Sequence, residues 1–191
     1  MSRAAFPIVI SGPSGVGKST IADRVIAEDP DTAYSVSVTT RPPRGEERDG
    51  EDYEFVSDEQ FDELIEEGQL AEWAEVHGYR YGTRKSAVET VTASGTDVVM
   101  DVDVQGGMSI KQLYPESVLI FILPPSPEIL EQRLRGRATD TEEVIETRLR
   151  NAIDELGWAE RYDHAVRNDD LEAAVENVLG IIQAERHLKA Q

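Results

Sequence analysis

A glycine-rich loop between an apolar run and a helical pattern constrains the fold more than any other feature of the sequence. Residues 7–11 (PIVIS) are apolar enough for a buried strand, and residues 18–27 space their apolar side chains as a helix does. Between them, residues 12–19 (GPSGVGKS) match the pattern GxxxxGK[ST] in full. A chance match in a chain of this length is on the order of one per cent at average glycine usage. We therefore predict a strand, a phosphate-binding loop and a helix in direct succession.

The chemistry of this loop is that of a nucleoside triphosphate site. Glycines let successive backbone N–H groups point at phosphate oxygens, and the N-terminus of the next helix adds its positive dipole end. In this pattern Lys18 reaches the β- and γ-phosphates and the Ser19 hydroxyl binds Mg²⁺. A flexible turn is the alternative, and a dinucleotide site is excluded because GxGxxG is absent from the loop. The predicted nucleotide-binding residues are Gly12, Pro13, Ser14, Gly15, Val16, Gly17, Lys18, Ser19 and Thr20.

Later apolar runs predict the rest of the core. Residues 98–102 (VVMDV) and 118–123 (VLIFIL) are too continuous for half-exposed strands and favour a parallel sheet covered on both faces. A short strand is expected near Ala165 and Val166. Capping-box spacing or a following proline predicts helix starts at Ser57, Ser126, Thr139 and Asp169. Strands that alternate with helices indicate an α/β fold, here a three-layer P-loop NTPase core with a parallel sheet.

Two stretches interrupt this core. Residues 37–83 are rich in turns, carry arginines and lack long helices, and residues 126–148 contain an arginine-rich helical stretch. We predict an insertion at 37–83 and a lid at 126–148. The core then comprises residues 1–36, 84–125 and 149–191.

Composition narrows the classes of function. The chain has no cysteine, which excludes disulfides and thiolate chemistry, and its three histidines lack HExxH spacing, so any metal is expected to be a hard cation such as Mg²⁺. It carries 38 Asp and Glu against 19 Lys and Arg, a formal net charge of -19, which argues against nucleic acid and membranes as partners. Without a secretory signal pattern or a bilayer-length apolar run, the protein is expected to be cytoplasmic. A high-salt cytoplasm and ordinary variation in a GC-rich genome both remain explanations of the acidity.

The arginines predict a second phosphate site. The prolines of Arg41-Pro-Pro-Arg44 favour polyproline II, which places both guanidinium groups on one side, as an acceptor phosphate requires. A solvated loop or a proline-rich ligand segment is the alternative. In the helical stretch, Arg135 and Arg150 have a glutamate four residues earlier, whereas Arg133, Arg137 and Arg148 do not. These three indicate a mobile lid that closes on transferring phosphate, with a solvated basic face as the alternative.

Two aspartates follow the run VVM. Asp101 ends an apolar strand, the usual position of the carboxylate on the Mg²⁺ side of a P-loop. Asp103 is expected on the same strand face if the extension continues, with simple strand-end solvation as the alternative. The predicted metal ligands are Ser19 and Asp101.

The order and spacing of these motifs resemble guanylate kinases over almost the whole chain. The segments that carry the resemblance are SGPSGVGKST, SVSVTTRPPRGEERDGEDYEFV, LAEWAEV, YGT, MDVDVQG, FILPPS, RLRGR and RNDD. The resemblance implies transfer of the γ-phosphoryl group of ATP to GMP, and to dGMP, in purine nucleotide metabolism and GMP recycling. It implies ATP and GMP as small-molecule partners, Mg²⁺ as cofactor, and a monomer or small homo-oligomer.

The same resemblance assigns residues to the two substrates. It implies that the GMP phosphate and its surroundings are met by Ser37, Arg41, Arg44, Tyr53 and Tyr81. The guanine is implied to face Glu72, Thr83 and Asp103, with Asp101 also on the GMP side, and the adenine of ATP to lie near Asn168 and Asp169. The implied catalytic residues are Lys18, Arg41, Arg133, Arg137 and Arg148. Guanine carries two hydrogen-bond donors, N1–H and N2–H₂, and one carboxylate can accept a hydrogen bond from each. Adenine instead presents an acceptor at N1.

Two other functions stay open at this point. Guanylate-kinase-like domains of scaffold proteins keep the GMP half but have lost the nucleotide loop, and the intact Lys18 argues against that class. A sister kinase that acts on another phosphorylated small molecule, such as ribose 1,5-bisphosphate, is disfavoured by the four guanine-side residues. The chain departs from the usual family pattern at Tyr79-Arg80 and at Ala138, so the sequence does not predict the loop conformation at these positions.

Overall fold

The computed structural model describes residues 4–76, 78–135 and 142–190. The strands are β1 (Pro7–Ser11), β2 (Thr32–Tyr34), β3 (Ser37–Thr39), β4 (Tyr53–Phe55), β5 (Leu70–Val76), β6 (Tyr79–Arg84), β7 (Asp97–Asp101), β8 (Val118–Leu123) and β9 (His164–Arg167). The helices are α1 (Lys18–Glu28), α2 (Asp58–Glu66), α3 (Lys85–Ala93), α4 (Val104–Leu113), α5 (Pro127–Arg135), α6 (Glu142–Leu156) and α7 (Leu171–Lys189). Across these ranges, none of the helices combines the length and apolar character that a bilayer span requires.

The larger sheet contains five parallel strands in the order β2-β7-β1-β8-β9. Its central strands are buried almost throughout, because helices cover both faces. Helices α1 and α7 pack on one face through residues such as Ile21 and Val178. Helices α3 and α4 pack on the other through Val88 and Ile110. The predicted three-layer α/β core is therefore confirmed.

Individual elements agree with the sequence patterns to within a residue or two. The strands predicted at 7–11 and 118–123 have those bounds, whereas the run at 98–102 forms a strand one residue earlier. The predicted capping box at Ser57 is present, since its hydroxyl accepts from the Gln60 N–H at 3.2 Å and the Gln60 side chain accepts from the Ser57 N–H at 2.8 Å. The Ser126 hydroxyl accepts from the N–H of Ile129 at 3.3 Å.

One predicted helix start is wrong, and another is not described. The cap of α7 is Asp170, whose carboxylate accepts from the N–H of Ala173 at 3.0 Å, so the helix begins one residue later than Asp169 predicts. Either aspartate can cap a helix with its side chain, so the spacing of Asp169 and Glu172 does not by itself locate the first turn. Thr139 lies outside the described residues.

Residues 37–84 contain a second sheet that the sequence pattern did not indicate. Its strand order is β4-β3-β6-β5, and α2 packs on one face through Phe61 and Leu64 against Val38 and Leu70. Strands β3 and β4 are three residues long, so their alternation is too short to be distinguished from turns. Arg80, one of the departures from the family pattern, packs 4.8 Å above the Phe61 ring and pairs with acidic residues of α2.

The parallel pairing of β1 with its neighbours determines where the glycine-rich loop lies. Ile10 pairs with Asp101 of β7, so the carboxyl ends of both strands meet at one edge of the sheet. Gly12 then turns the chain with φ 141°, and a Cβ at this position would lie 2.4 Å from the carbonyl oxygen of Ile122 in β8. Only glycine fits this close approach without displacing the backbone of β8.

Gly12→Ala should lower the free energy of unfolding by at least about 2 kcal/mol, because the new Cβ meets backbone and the φ angle disfavours a side chain. Gly180→Ala is the matched control, since a Cβ there meets no described atom within 4 Å. The control should gain about 0.5–1 kcal/mol from helix propensity. Urea denaturation measures both, and equal midpoints would contradict the close approach.

Candidate active site

The glycine-rich loop joins β1 to α1 with three glycines at positive φ, namely Gly12, Gly15 and Gly17. Gly17 is the N-cap residue of α1, and no described side chain caps that helix, so its first N–H groups remain available to a ligand. Lys18 folds back over the loop, where its Nζ donates to the carbonyls of Gly12 at 2.9 Å and Pro13 at 3.3 Å. Uncapped N–H groups beside an ammonium group form a site for an anion such as a phosphate.

Ser19 and Asp101 meet beside this loop. The Ser19 hydroxyl donates to the Asp101 carboxylate, and burial raises the pKa of Asp101 although the charge of Lys18 opposes the rise. A hydroxyl and a carboxylate are ligands that suit a hard cation such as Mg²⁺. The described residues form no group of three or more His, Asp or Glu that could hold a metal ion by themselves. Such a cation therefore needs further oxygens from phosphate or water.

Two cavities adjoin at this point. The loop cavity, of about 660 Å³, is lined by the glycine-rich loop, including Lys18. The sheet cavity, of about 590 Å³, is lined by one face of the second sheet, including Glu72 and Tyr81. Both are lined by Ser19, Val76, Asp101, Val102 and Asp103. The predicted metal ligands thus lie at the junction between the two cavities.

One face of the second sheet presents a row of four side chains, one from each strand. Ser37 of β3 pairs with Tyr53 of β4 and with Thr83 of β6, and Thr83 pairs with Glu72 of β5. Tyr81, two residues before Thr83, lies on the same face because side chains alternate along a strand. The structure thereby brings together five of the residues that the family resemblance assigned to GMP.

Glu72 is the buried acidic member of this row, with 8% of its surface exposed. Burial raises its pKa to about 7, although the Thr83 hydroxyl, which donates to Oε1 at 2.7 Å, favours the ionised form. A Cβ on Gly106 would lie 2.8 Å from Oε2, so glycine at that position leaves room for the carboxylate. Because a buried carboxylate is costly without donors, the sheet cavity suits a ligand that presents N–H groups.

Asp103 does not continue β7. The strand ends at Asp101, and Asp103 is the N-cap of α4, where Oδ1 accepts from the N–H of Gly106 at 2.7 Å. The backbone at Asp103 is nevertheless still extended, with φ -70° and ψ 175°, and the helix begins at Val104, so the extension that the sequence analysis assumed continues to this residue. The carboxylate still lines both cavities, next to Glu72.

The two arginines of Arg41-Pro-Pro-Arg44 lie in different environments. Arg41 is 4% exposed, and its guanidinium pairs with Glu47 through Nη1 at 2.8 Å and Nη2 at 2.9 Å. It also lies over the Tyr53 ring, 5.0 Å from the centroid. Arg44 is exposed, and its backbone N–H donates to Glu47 at 2.7 Å. The hydrogen bond from Arg41 and the charges of both arginines lower the pKa of Glu47, so both guanidinium groups act on one carboxylate, and a shared grip on an acceptor phosphate stays a prediction.

The lid arginines differ in how much the structure describes. Arg133 of α5 reaches the loop, with Nη1 3.5 Å from the Val16 carbonyl oxygen and Nη2 3.4 Å from that of Asn168. Arg148 of α6 lines the loop cavity. Arg137 lies outside the described residues.

The two arginines predicted to pair within their helices also differ. Arg135 pairs with Glu131 at 2.8 Å, as its spacing predicts. Arg150 donates to the Thr147 hydroxyl at 3.4 Å, and no described contact joins it to Glu146.

Asn168 and Asp169, assigned to the adenine side, occupy different positions. Asn168 is buried, and its side-chain amide donates to the Val16 carbonyl at 2.8 Å. A Cβ on Gly17 would lie 2.8 Å from that amide nitrogen, so the contact depends on glycine. Asp169 is exposed, and neither residue is among those that line the loop cavity.

Helix α6 adds two residues that the sequence patterns missed. Asn151 and Glu155 line the loop cavity together with Arg148. Glu155 hydrogen-bonds to the backbone of Ser14, and burial raises its pKa while the charge of Lys18 opposes the rise. The three positions are spaced i, i+3 and i+7, which is one face of a helix. This spacing relative to Arg148 is the sequence pattern from which both residues could have been predicted.

Comparison with known proteins identifies one family. The family model described as guanylate kinase matches residues 4–185. This chain belongs to the guanylate kinase family. It is 48% identical over 181 residues to the guanylate kinase of Myxococcus xanthus. The aligned residues are 94% of this chain and 86% of that relative. It is 46% identical over 186 residues to that of Caldanaerobacter subterraneus subsp. tengcongensis, covering 97% and 90%.

A solved structure agrees with this assignment. The crystal structure of guanylate kinase from Anaplasma phagocytophilum is 32% identical, with a TM-score of 0.77 over 97% of this chain and 87% of that one. The resemblance drawn from the motifs and the predicted fold class are both confirmed. The assignment of individual residues to the substrates of a guanylate kinase stays a prediction.

Glu72→Gln should stabilise the ligand-free chain increasingly as pH rises. Between the ordinary pKa of 4.5 and the native value of about 7, the folded state binds more protons at this residue than the unfolded state does. Stability of the parent chain therefore falls with rising pH through that window, and glutamine removes this loss. Thermal denaturation should show similar melting temperatures for the variant and the parent chain near pH 4.5. Towards pH 8 the melting temperature of the variant should exceed that of the parent chain by an increasing amount.

Glu75→Gln, on the exposed side of the same strand, is the control and removes the same charge. The control should show little change of its melting-temperature difference with pH. A difference for Glu72→Gln that stays constant from pH 4.5 to pH 8 would contradict the raised pKa.

Proposed function

We propose that this chain transfers the γ-phosphoryl group of ATP to GMP, and to dGMP, giving ADP and GDP or dGDP. The observation that supports this most strongly is the junction of the two cavities at Ser19 and Asp101, with Lys18 on one side and Glu72 on the other. A donor nucleotide in the loop cavity and an acceptor in the sheet cavity then place their phosphates towards the same point.

The loop cavity is proposed to bind ATP. Backbone N–H groups of the loop and of the first turn of α1 bind phosphate oxygens, and Lys18 exchanges its carbonyl partners for the β- and γ-phosphates. Ser19 and Asp101 hold Mg²⁺, which supplies charge neutralisation on the phosphates when it is bound. Arg133 and Arg148 add positive charge from α5 and α6, and Arg137 is proposed to do the same.

The sheet cavity is proposed to bind GMP. Guanine presents the N1–H and N2–H₂ donors, and the buried carboxylate of Glu72 accepts both, while Thr83 already orients that carboxylate. Adenine offers an acceptor at N1 and leaves the buried carboxylate without donors. We propose that Tyr53, Tyr81 and Arg41 bind the phosphate, with Arg44 and Ser37 near it.

The proposed mechanism needs no general base. The second pKa of a phosphate monoester is about 6, so the attacking oxygen of GMP is mostly ionised at neutral pH. Positioning of two phosphates and neutralisation of their charge then supply most of the rate acceleration. Closure of the insertion at 37–83 and the lid at 126–148 on the core is proposed to exclude water and to suppress ATP hydrolysis.

We extend the proposal to the setting of the enzyme. The formal net charge of -19 supports small-molecule partners over nucleic acid. A cytoplasmic location is proposed because purine nucleotide metabolism supplies both substrates there. A monomer or small homo-oligomer is proposed from the resemblance alone.

A coupled assay of ADP release tests the function. With ATP and Mg²⁺ present, GMP and dGMP should support turnover, whereas AMP and ribose 1,5-bisphosphate should not. Neither of the latter two has the N1–H and N2–H₂ donors of guanine, from which Glu72 accepts hydrogen bonds. Lys18→Ala should reduce turnover with GMP by at least about 1,000-fold, since it removes the charge on the transferring phosphate. GMP binding, measured by calorimetry, should stay close to that of the parent chain.

Arg24→Ala is the matched control, because it removes a cation of the same helix that pairs with Glu28 and Glu172 and does not line the loop cavity, and its loss of turnover should be far smaller. Turnover with ribose 1,5-bisphosphate but not with GMP would favour the sister kinase. GMP binding without ADP release from any acceptor would favour a binding module.

A further inference from the structure

Glu47 is a half-buried loop residue whose carboxylate accepts three hydrogen bonds. Its Oε2 accepts from Nη1 of Arg41 at 2.8 Å and from the backbone N–H of Arg44 at 2.7 Å, and its Oε1 accepts from Nη2 of Arg41 at 2.9 Å. These donors hold the pKa of Glu47 below its ordinary value. One carboxylate therefore joins both arginines of the Arg41-Pro-Pro-Arg44 turn.

These contacts occupy one end of the Arg41 guanidinium and leave the edge that carries Nε–H outside them. A guanidinium carries five N–H donors, and Glu47 takes one from each terminal nitrogen. The Pro42 carbonyl accepts a further bond from Nη1 at 2.9 Å. The N–H groups outside these bonds are Nε–H and the second N–H of Nη2, which lie on one edge of the guanidinium. The hydroxyls of Tyr53 and Tyr81, which line the sheet cavity, also hydrogen-bond to this guanidinium, so they join this edge to the cavity.

The sheet cavity is lined by acidic side chains, so a phosphate in it needs the positive charge of Arg41. Seven carboxylates line the cavity, and its lining contains no lysine or arginine among the described residues. They are Asp23, Glu47, Glu51, Asp52, Glu72, Asp101 and Asp103. A phosphate dianion entering this surface is repelled unless a cation faces it at hydrogen-bonding distance. Arg41 lies next to the cavity, packed against Tyr53 at 5.0 Å and Phe55 at 5.8 Å.

We infer that Glu47 is a positioning residue for the acceptor phosphate. It holds Arg41 by one end so that the Nε–Nη2 edge and the hydroxyls of Tyr53 and Tyr81 meet the phosphate of GMP together. Its bond to the backbone N–H of Arg44 fixes the turn at the same point. The inference rests on the proposed function, because it takes GMP as the ligand of the sheet cavity. Glu47 touches no reacting atom in this account and acts through Arg41.

Glu47→Ala should raise the dissociation constant for GMP by about 10-fold to 100-fold, because Arg41 loses its charge-assisted bonds and its orientation. Glu47→Gln keeps one acceptor oxygen and should show a smaller loss. Guanosine, which lacks the phosphate, should bind both variants within about twofold of the parent chain. Calorimetry measures both ligands, and steady-state rates should show a raised KM for GMP with an unchanged KM for ATP.

Glu46→Ala is the matched control, because Glu46 is the exposed neighbour and its removal changes the net charge equally. GMP should bind this control as tightly as the parent chain or slightly more tightly, since one repelling charge is removed. Equal or tighter GMP binding by Glu47→Ala would overturn the inference and make the carboxylate a competitor of phosphate. Equal weakening of GMP and guanosine would also overturn it, since it would indicate a purely structural role. Turnover of the parent chain with GMP tests the proposed function separately.

Discussion

The parallel pairing of β1 with β7 is the constraint on which the rest of the site depends. Because Ile10 lies opposite Asp101, the strand that leads into the glycine-rich loop and the strand that ends in the acidic residue finish at the same edge of the sheet. Ligands of open α/β sheets bind outside the carboxyl ends of the strands. The contact of Ser19 with Asp101, the position of Lys18 and the junction of the two cavities all follow from that register.

Charge compensation explains how so acidic a chain keeps two phosphate sites. Arg41 is paired with Glu47, and Lys18 faces the carboxylate of Glu155 while it donates to loop carbonyls. In both sites, the cationic side chain that is proposed to bind phosphate therefore already interacts with a carboxylate of the same chain. Burying a charge without a partner is strongly destabilising, so these contacts keep the cations in place without a ligand. The repulsion between the remaining carboxylates and a polyanion then favours small ligands that reach the two sites.

The sequence was most informative where a single local pattern determines structure. Strands β1 and β8 are continuous apolar runs, and the glycine loop has a spacing that chance does not produce, so both could be predicted without tertiary information. The second sheet could not, since two of its strands span three residues and are stabilised by pairing rather than by propensity. The role of Asp103 as a helix cap was missed because the end of β7 cannot be located from an apolar run alone.

Residues whose role depends on tertiary contact were also missed. Asn151 and Glu155 reach the loop only because α6 packs beside it, and Glu47 acquires a role only when the turn folds back on Arg41. The amide of Asn168 bonds to the loop backbone at Val16, a contact between residues far apart in sequence that no spacing pattern indicates.

The central claim is that the buried carboxylate of Glu72 selects guanine for phosphoryl transfer. The most direct measurement is the ratio of kcat/KM for GMP to that for AMP, compared between the parent chain and Glu72→Gln. The account predicts that this ratio falls by at least about 100-fold in the variant, mainly through loss of activity with GMP. A ratio that stays unchanged would contradict it, because guanine selection would then arise elsewhere in the site.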